Sequence, residues 1–321
     1  MSGAAVADAG GLGAVEIKAM RDAGYDRGFS VGVTAASSTI GPIIPPSLPL
    51  IVYGVVAEVS IGKLFAAGLV PGLLMAISLM IMVHVTSVRR GYPLEAAFSI
   101  AVAMRAAKSA ILPLLTPIII VGGIMFGIFT PTEAAIAAVA YTILVGSLIY
   151  KTLSLKSLLK TMTTTIETSA AVLMIIASAA LFAWVLTANQ LADGLTAGLL
   201  AVTSHKVLIL LMIMLIVFIV GFFMETIAAI TILTPLILPV ALAVGIDPIH
   251  LGIILVLNLM IGLLTPPVGM VLYVLAKVSK TPFEDCVRAT LPFLIPLIAV
   301  LLLLVFVPNI ALFLPEFLFS D

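Results

Sequence analysis

The sequence predicts an all-α polytopic membrane protein in which two membrane-spanning helices are discontinuous. Of its 321 residues, 63% are hydrophobic and 9% are charged, against roughly 45–50% and about 25% in soluble domains. The apolar residues form runs long enough to cross a bilayer, which takes about 20 residues of helix. The formal net charge is +0, and the basic residues are scattered, so we expect no nucleic-acid partner.

The first break lies in residues 37–47, whose sequence is SSTIGPIIPPS. It interrupts an apolar run over residues 29–56 and holds Gly41 with prolines at 42, 45 and 46. Proline removes a backbone donor and disfavours helical geometry in the residue before it, so no continuous helix is expected there. Unwound backbone at membrane depth persists only where protein or a water-filled cavity satisfies its polar groups. The break is therefore a candidate site.

The other elements follow from apolar length and charge placement. Residues 4–22 predict a short helix that does not span, and 57–63 predict a polar turn. Residues 64–85 predict a span kinked at Pro71, and 94–107 an interfacial amphipathic helix. Further spans are expected at 111–129, 133–150 and 169–187, followed by an external loop at 189–203. The basic residues at 89, 90, 151, 156 and 160 then share the cytoplasmic side.

Residues 207–244 admit two interpretations, a full span or a re-entrant hairpin. A full span would carry the basic residues at 277, 280 and 288 to the outside. A hairpin turning at residues 223–226 keeps them inside, so we expect the hairpin. A second broken crossing over residues 250–276 and a last span at 291–307 follow it.

An internal repeat relates the two broken segments. A shift of 221 residues (245 − 24) brings matching residues together, namely Gly24 with Gly245, Asp26 with Asp247, Gly41 with Gly262, and Pro45-Pro46 with Pro266-Pro267. The copies run in opposite directions, as in many secondary transporters with discontinuous helices. Residues 1–91 would form an incomplete first repeat, 92–164 a connecting segment, and 165–321 the second repeat. Two unrelated Pro/Gly kinks remain the alternative.

Polar side chains near the breaks suit a hard cation such as sodium, which prefers several oxygen ligands. Ser37, Ser38 and Thr39 precede Gly41 in the first break, while Asn258 precedes Gly262 and Thr265 in the second. Asp8 and Glu225 lie on the facing hairpins. A charged group at membrane depth costs at least about 2.5–3.5 kcal/mol, so we expect each carboxylate to support a cation at the break it faces. Structural acids near helix ends are the alternative, and an intramembrane aspartate-type enzyme with an acid–base pair is another.

Three stretches resemble the large permease subunit of TRAP transporters, the tripartite ATP-independent periplasmic class. They are residues 2–26, 34–54 and 224–269, which include SSTIGPIIPPS and NLMIGLLTPPVG. The resemblance covers essentially the whole chain. It implies an elevator-type importer of the bacterial inner membrane that is coupled to sodium ions and is not an enzyme. It also implies a periplasmic substrate-binding protein and a small membrane subunit as partners. The implied substrates are C4-dicarboxylates, sialic acids or similar organic acids.

The resemblance also implies site residues. For sodium these are Ser2, Asp8, Ser37, Ser38, Thr39 and Gly41 at the first break, and Glu225, Thr226, Asn258 and Gly262 at the second. For substrate they are Ser47, Thr265 and Pro266. Family members often carry a serine where Ala4 stands, which would remove one oxygen from the first site. Members are also longer at the amino end by about a hundred residues, the length of three further spans and their loops. The chain is therefore expected to be an incomplete copy, and an inert fragment or scaffold is a further alternative.

Overall fold

The computed structural model describes residues 3–93 and 99–319, and within these ranges every regular element is a helix. The helices are α1 (Ala5–Asp22), α2 (Arg27–Ser37), α3 (Leu48–Val56), α4 (Ile61–Arg90), α5 (Ile100–Met125), α6 (Pro131–Leu144), α7 (Leu155–Ala188), α8 (Leu191–Val202), α9 (Lys206–Gly221), α10 (Thr226–Ala243), α11 (Pro248–Gly262), α12 (Met270–Ser279), α13 (Phe283–Phe306) and α14 (Asn309–Leu318). A π-helical turn, Val145–Ile149, extends α6.

The chain divides into two compact units, one of residues 1–93 with 178–321 and the other of residues 94–177. Six helices in the described ranges are long and apolar enough to cross a membrane. They are α4, α6 with its π-helical turn, most of α7, and the whole of α5, α10 and α13. The prediction of an all-α polytopic membrane protein is thereby confirmed.

Both breaks separate two helices. The α2 helix ends at Ser37 and α3 begins at Leu48, while α11 ends at Gly262 and α12 begins at Met270. Each broken helix starts on an aspartate cap. Asp26 accepts a hydrogen bond from Phe29 N, and Asp247 accepts hydrogen bonds from the N–H groups that follow it. Such caps satisfy donors that the first helical turn leaves unpaired.

The two broken helices run antiparallel. The Arg27 guanidinium at the start of α2 donates to the Lys280 carbonyl just beyond α12, at 3.2 Å. At the other end, the Tyr53 hydroxyl in α3 donates to the Pro248 carbonyl at the start of α11, at 2.5 Å. The start of each broken helix therefore lies beside the end of the other.

The hairpin arms α1 and α10 occupy matching places. Both bounds of α10 lie 221 residues after those of α1 (226 − 5 and 243 − 22). The α1 helix packs against α2 and α12, and α10 packs against α11 and α3. Each arm therefore contacts the first part of one broken helix and the last part of the other.

The α11 helix lies at the centre of the larger unit and is buried at every residue from His250 to Gly262. Two side chains fix it to its neighbours. His250 Nε2 lies 2.8 Å from the Leu304 carbonyl of α13, and Asn258 Nδ2 donates to the Met214 carbonyl of α9 at 2.7 Å. A helix apolar on all sides is expected to be surrounded in this way.

Four element predictions are wrong. Residues 100–107 do not form a separate interfacial helix but begin α5. Their alanine-rich sequence favours a continuous helix through Arg105. The first part of the predicted interfacial helix, residues 94–98, lies outside the described residues. The predicted loop at 189–203 contains α8, which is rich in leucine and alanine and packs on α10. The α7 and α13 helices begin 14 and eight residues earlier than predicted (169 − 155 and 291 − 283).

Candidate cation and substrate site

The hydroxyls at the end of α2 bond back to their own helix. Ser37, Ser38 and Thr39 donate to carbonyls three residues earlier, at 3.3, 2.8 and 2.7 Å. A hydroxyl that donates its proton keeps its oxygen lone pairs. These oxygens therefore remain able to accept a hydrogen bond or to contact a cation.

The Asp8 carboxylate of α1 lies against the first break. A Cβ placed on Gly41 would be 2.5 Å from Asp8 Oδ2, so the carboxylate occupies the space that a side chain at Gly41 would fill. Both residues line a cavity of about 250 Å³ together with Ser37 and Ser38. Thr39 is not part of this lining and is fully buried. The first break thus brings together four of the residues named from the sequence.

Two further polar residues line the same cavity and were missed by the sequence analysis. Thr34 is 1% exposed, and its Oγ1 is one of two buried side-chain polar atoms without a hydrogen-bond partner in the described chain. Glu16 lies two helical turns after Asp8 on α1. The spacings of eight residues from Asp8 to Glu16 and of three from Thr34 to Ser37 place each pair on one helix face, and this signal could have found both.

The tip that precedes α1 approaches the far side of the first break. Gly3 has a φ of +69°, and a Cβ there would lie 3.2 Å from the Pro46 carbonyl and 3.3 Å from Leu48 N. Only glycine adopts this φ without strain at so close an approach. Ser2, predicted as a sodium ligand, lies outside the described residues.

At the second break, two glycines from different helices lie in close contact. A Cβ on Gly262 would lie 2.8 Å from the carbonyl carbon of Gly221 at the end of α9. The tip of the hairpin formed by α9 and α10 therefore lies directly against the end of α11. Gly221 was also missed by the sequence analysis, because nothing in its local sequence marks it as a crossing point.

The structure gives Glu225 a helix-capping position. Its carboxylate accepts hydrogen bonds from Ile227 N at 2.7 Å and Ala228 N at 3.3 Å, at the start of α10. This matches the structural alternative for the acid, while any contact with a cation stays a prediction. Under the 221-residue shift Glu225 corresponds to Ala4, whose side chain makes no cap in α1. The two carboxylates are therefore not at equivalent positions. The neighbouring Thr226 is 4% exposed.

The amide of Asn258 is 2% exposed and holds α11 to α9 through the Met214 carbonyl. It also lines an apolar cavity of about 210 Å³ with Phe218 and Leu301. An amide that already donates to a helix carbonyl keeps its oxygen as an acceptor. Its role toward a cation stays a prediction beside this observed packing role.

The residues predicted to contact substrate differ in accessibility. Ser47 is fully buried, accepts a hydrogen bond from Leu50 N and donates to the Pro42 carbonyl, so its hydroxyl is used within the break. Thr265 and Pro266 are partly exposed, and Thr265 Oγ1 donates to the Ile261 carbonyl at 2.8 Å. Of these three, the second-break residues are the more accessible.

Comparison with known proteins identifies a family. The model of the tripartite ATP-independent periplasmic transporter, DctM component, matches residues 1–310. The chain is 46% identical to the sialic acid TRAP transporter large permease protein SiaM of Vibrio cholerae, over 98% of this chain and 74% of that protein. It is 41% identical to the sialic acid TRAP transporter permease protein SiaT of Haemophilus influenzae, over 99% of this chain and 52% of that protein. It is 37% identical to the C4-dicarboxylate TRAP transporter large permease protein DctM of Pseudomonas aeruginosa, over 99% of this chain and 74% of that protein.

Proposed function

Because the chain belongs to the family of DctM components of tripartite ATP-independent periplasmic transporters, we propose that it works as the permease subunit of a sodium-coupled importer of organic anions. It is a multi-pass inner-membrane protein. The names of its relatives indicate sialic acid or a C4-dicarboxylate as the class of substrate. A periplasmic substrate-binding protein and a small membrane subunit would be its partners.

The transport part of the proposal is supported by the antiparallel broken helices. Their ends meet at Arg27 with Lys280 and at Tyr53 with Pro248, and α1 and α10 contact them reciprocally. Inverted repeats with discontinuous helices place ion and substrate sites near the membrane midplane. We propose that the hairpin arms and broken helices move as one block, in an elevator-type cycle.

One observation carries the proposal of a sodium site, namely the contact between the Asp8 carboxylate and Gly41. The carboxylate lines a cavity together with Ser37, Ser38 and Thr34, and Thr34 Oγ1 has no hydrogen-bond partner among the described residues. A carboxylate, hydroxyls and unwound carbonyls form a donor set that suits a hard cation. We propose that sodium binds here, with Ser2 as a further ligand.

A second sodium site is proposed at the second break, from Glu225, Thr226, Asn258 and Gly262. Substrate would then contact Thr265 and Pro266, which are partly exposed, and Ser47. Sodium can drive uptake only if it binds the substrate-ready state more tightly than the other state. We propose that the contact between Gly221 and Gly262 supplies this difference in sodium affinity, because it holds the hairpin tip against the second break.

The test measures the unfolding temperature of the purified chain in sodium and in potassium at equal ionic strength. A ligand that binds only the folded state stabilises it by about 2.7 kcal/mol at 100 times its Kd. We expect a sodium-specific rise that Asp8→Asn reduces, because this variant loses the first site and keeps the second. Asp22→Asn, an exposed acid at the end of the same helix, should keep the full rise.

A full sodium-specific rise in Asp8→Asn would contradict the first site. No sodium effect in the wild-type chain, together with no sodium-driven uptake by the assembly reconstituted with its two partners, would favour the inert-fragment alternative. The enzyme alternative would require Glu225 to act as an acid or base, and its carboxylate caps α10 through two backbone N–H groups. Because the family is one of transporter permeases, we infer that the chain is not an enzyme.

A further inference from the structure

A second cavity, of about 420 Å³, lies where α2 begins, α4 ends and α13 begins. Three guanidinium groups line it, those of Arg27, Arg90 and Arg288. Phe29, Phe293 and Pro292 also line it. None of the residues that line this cavity belongs to the proposed transport site.

The charge of this cavity is positive after its internal pairing is counted. Arg90 forms an ion pair with Asp26 at 2.7 Å, and Asp26 also accepts a hydrogen bond from the Tyr92 hydroxyl. Burial raises the pKa of Asp26, but these bonds and the one from Phe29 N outweigh it and hold the pKa below its ordinary value. Asp26 therefore stays ionised and is already neutralised by Arg90.

The two remaining arginines, Arg27 and Arg288, line the cavity together with one further acid, Asp285. Arg27 donates to a neutral group, the Lys280 carbonyl, so its charge is not compensated. Within the described ranges Arg288 has no ion-pair partner, although Asp285 lies one turn before it on α13. Asp285 is in the first turn of α13, where the helix dipole stabilises a negative charge. The three arginines and two acids that line the cavity therefore leave one net positive charge.

Two aromatic residues of the lining are buried and contact each other. Phe29 and Phe293 are 4% and 3% exposed, and their ring centroids lie 6.0 Å apart. Phe29 also contacts Tyr25 and Tyr92, with centroids at 5.7 and 5.0 Å. Tyrosines of this kind are enriched at the level of lipid headgroups. A cavity lined by both arginines and apolar residues fits an amphiphile better than a free ion.

The sidedness of the cavity agrees with this ligand. Arg89 and Arg90 end α4, and Arg27, Lys280 and Arg288 lie at the same end of the unit. By the positive-inside rule this end is cytoplasmic, and it meets anionic lipid headgroups.

We propose that this cavity binds the headgroup phosphate of an anionic phospholipid. Arg27 and Arg288 contact the phosphate oxygens, since guanidinium groups bind phosphate in a bidentate manner. An acyl chain lies along Pro292, which is exposed on α13. One lipid would then join the first turn of α2 to α13 and the end of α4, and so brace the start of the first broken helix.

The test uses the purified full chain in detergent micelles, with phosphatidylglycerol, phosphatidylcholine or inorganic phosphate added separately. We expect phosphatidylglycerol to raise the unfolding temperature by at least about 2 °C, and the other two to have little effect. The double variant Arg27→Gln/Arg288→Gln should lose this rise. The matched control is Arg89→Gln, which removes a charge from the same helix end without touching the cavity, and it should keep the rise.

The same rise in the double variant, or with phosphatidylcholine, would overturn the proposal. An equal rise with inorganic phosphate would assign the site to a free anion and would also overturn it. If the double variant does not fold, Arg288→Lys replaces it, because lysine keeps the charge but loses the bidentate fork. Native mass spectrometry should then find less phosphatidylglycerol retained on this variant than on the wild type, and equal retention would refute the proposal. Sodium is not involved, so the outcome is independent of the proposed transport function.

Discussion

At the residue scale, the missing side chain of Gly41 is what lets the Asp8 carboxylate reach the first helix break. The two residues come from different helices, and the oxygen of Asp8 lies 2.5 Å from where a Cβ of Gly41 would be. Asp8 is a flexible side chain, so it can move away from an added methyl group at little cost. The contact therefore matters for the position of the charge more than for the stability of the fold.

We accordingly predict that Gly41→Ala leaves the folded state nearly as stable in potassium as the wild type but reduces its stabilisation by sodium. The displaced carboxylate would no longer face Ser37 and Ser38 across the cavity. Unfolding temperatures in sodium and potassium measure both effects. Gly11→Ala is the control, because a Cβ there meets nothing within 4 Å. A full sodium response in Gly41→Ala would show that Asp8 does not need this position.

The sequence predicted part of this site. Asp8 and the hydroxyls of Ser37 and Ser38 could be named because charge and oxygen atoms beside a Gly/Pro break are unusual in an apolar chain. The capping of α10 by Glu225 corresponds to the structural alternative given for this acid, whereas the bond from Asn258 to Met214 could not be predicted. That bond depends on how two helices cross, and a buried polar side chain has several carbonyls and N–H groups within reach.

At the element scale, glycines set how closely the helices approach one another. A Cβ on Gly32 of α2 would lie 2.3 Å from the Ala289 carbonyl oxygen of α13. The corresponding distance from Gly262 of α11 to the Gly221 carbonyl carbon is 2.8 Å. In both cases the obstacle is backbone, which has no alternative rotamer. These two close approaches determine the positions of α2 and α11 more narrowly than the pattern of apolar residues alone would.

We predict that Gly32→Ala destabilises the protein by about 1–3 kcal/mol, the usual cost of overpacking a filled interior. Thermal unfolding of the purified chain measures the change. Gly198→Ala in α8 is the comparison, since a Cβ there has open space around it and alanine favours the helix by about 0.5–1 kcal/mol. A stabilising effect of Gly32→Ala would mean that α2 and α13 are further apart than the structure has them.

Some helices were predicted from the sequence and others were not, and the difference has a physical reason. The breaks, α1 and the hairpin of α9 and α10 were predicted because proline and glycine change local geometry wherever the chain lies. The continuous α5 and the short α8 were not, because charge and short length were taken as ends of helices. A charged or short segment can still be helical beside lipid, water or another helix. Tertiary packing therefore decides whether such a segment forms a helix, and the local sequence does not.

At the scale of the whole molecule, α13 extends the block formed by the hairpin arms and broken helices. It packs along α2 through Gly32, and its Leu304 carbonyl meets His250 of α11. It therefore contacts both broken helices, one from each half of the chain. If the broken helices move together during transport, this packing requires α13 to move with them.

A disulfide between α2 and α13 tests this arrangement. A Cβ on Gly28 would lie 3.9 Å from the Cβ of Ala289, within the 3.5–4.5 Å typical of disulfides. In a Cys286→Ser background, which removes the one native thiol, we predict that Gly28→Cys/Ala289→Cys forms this bond on oxidation. Mass spectrometry of the digested protein detects it. Gly11→Cys/Ala289→Cys should form none, because a Cβ added to Gly11 would have no described atom beyond its own helix backbone within 4 Å.

Sodium-driven uptake by the reconstituted assembly should survive the oxidation of the first pair, since the bond joins two helices that move together. Loss of uptake on oxidation, restored by a reductant, would instead show that α2 and α13 slide past each other during transport.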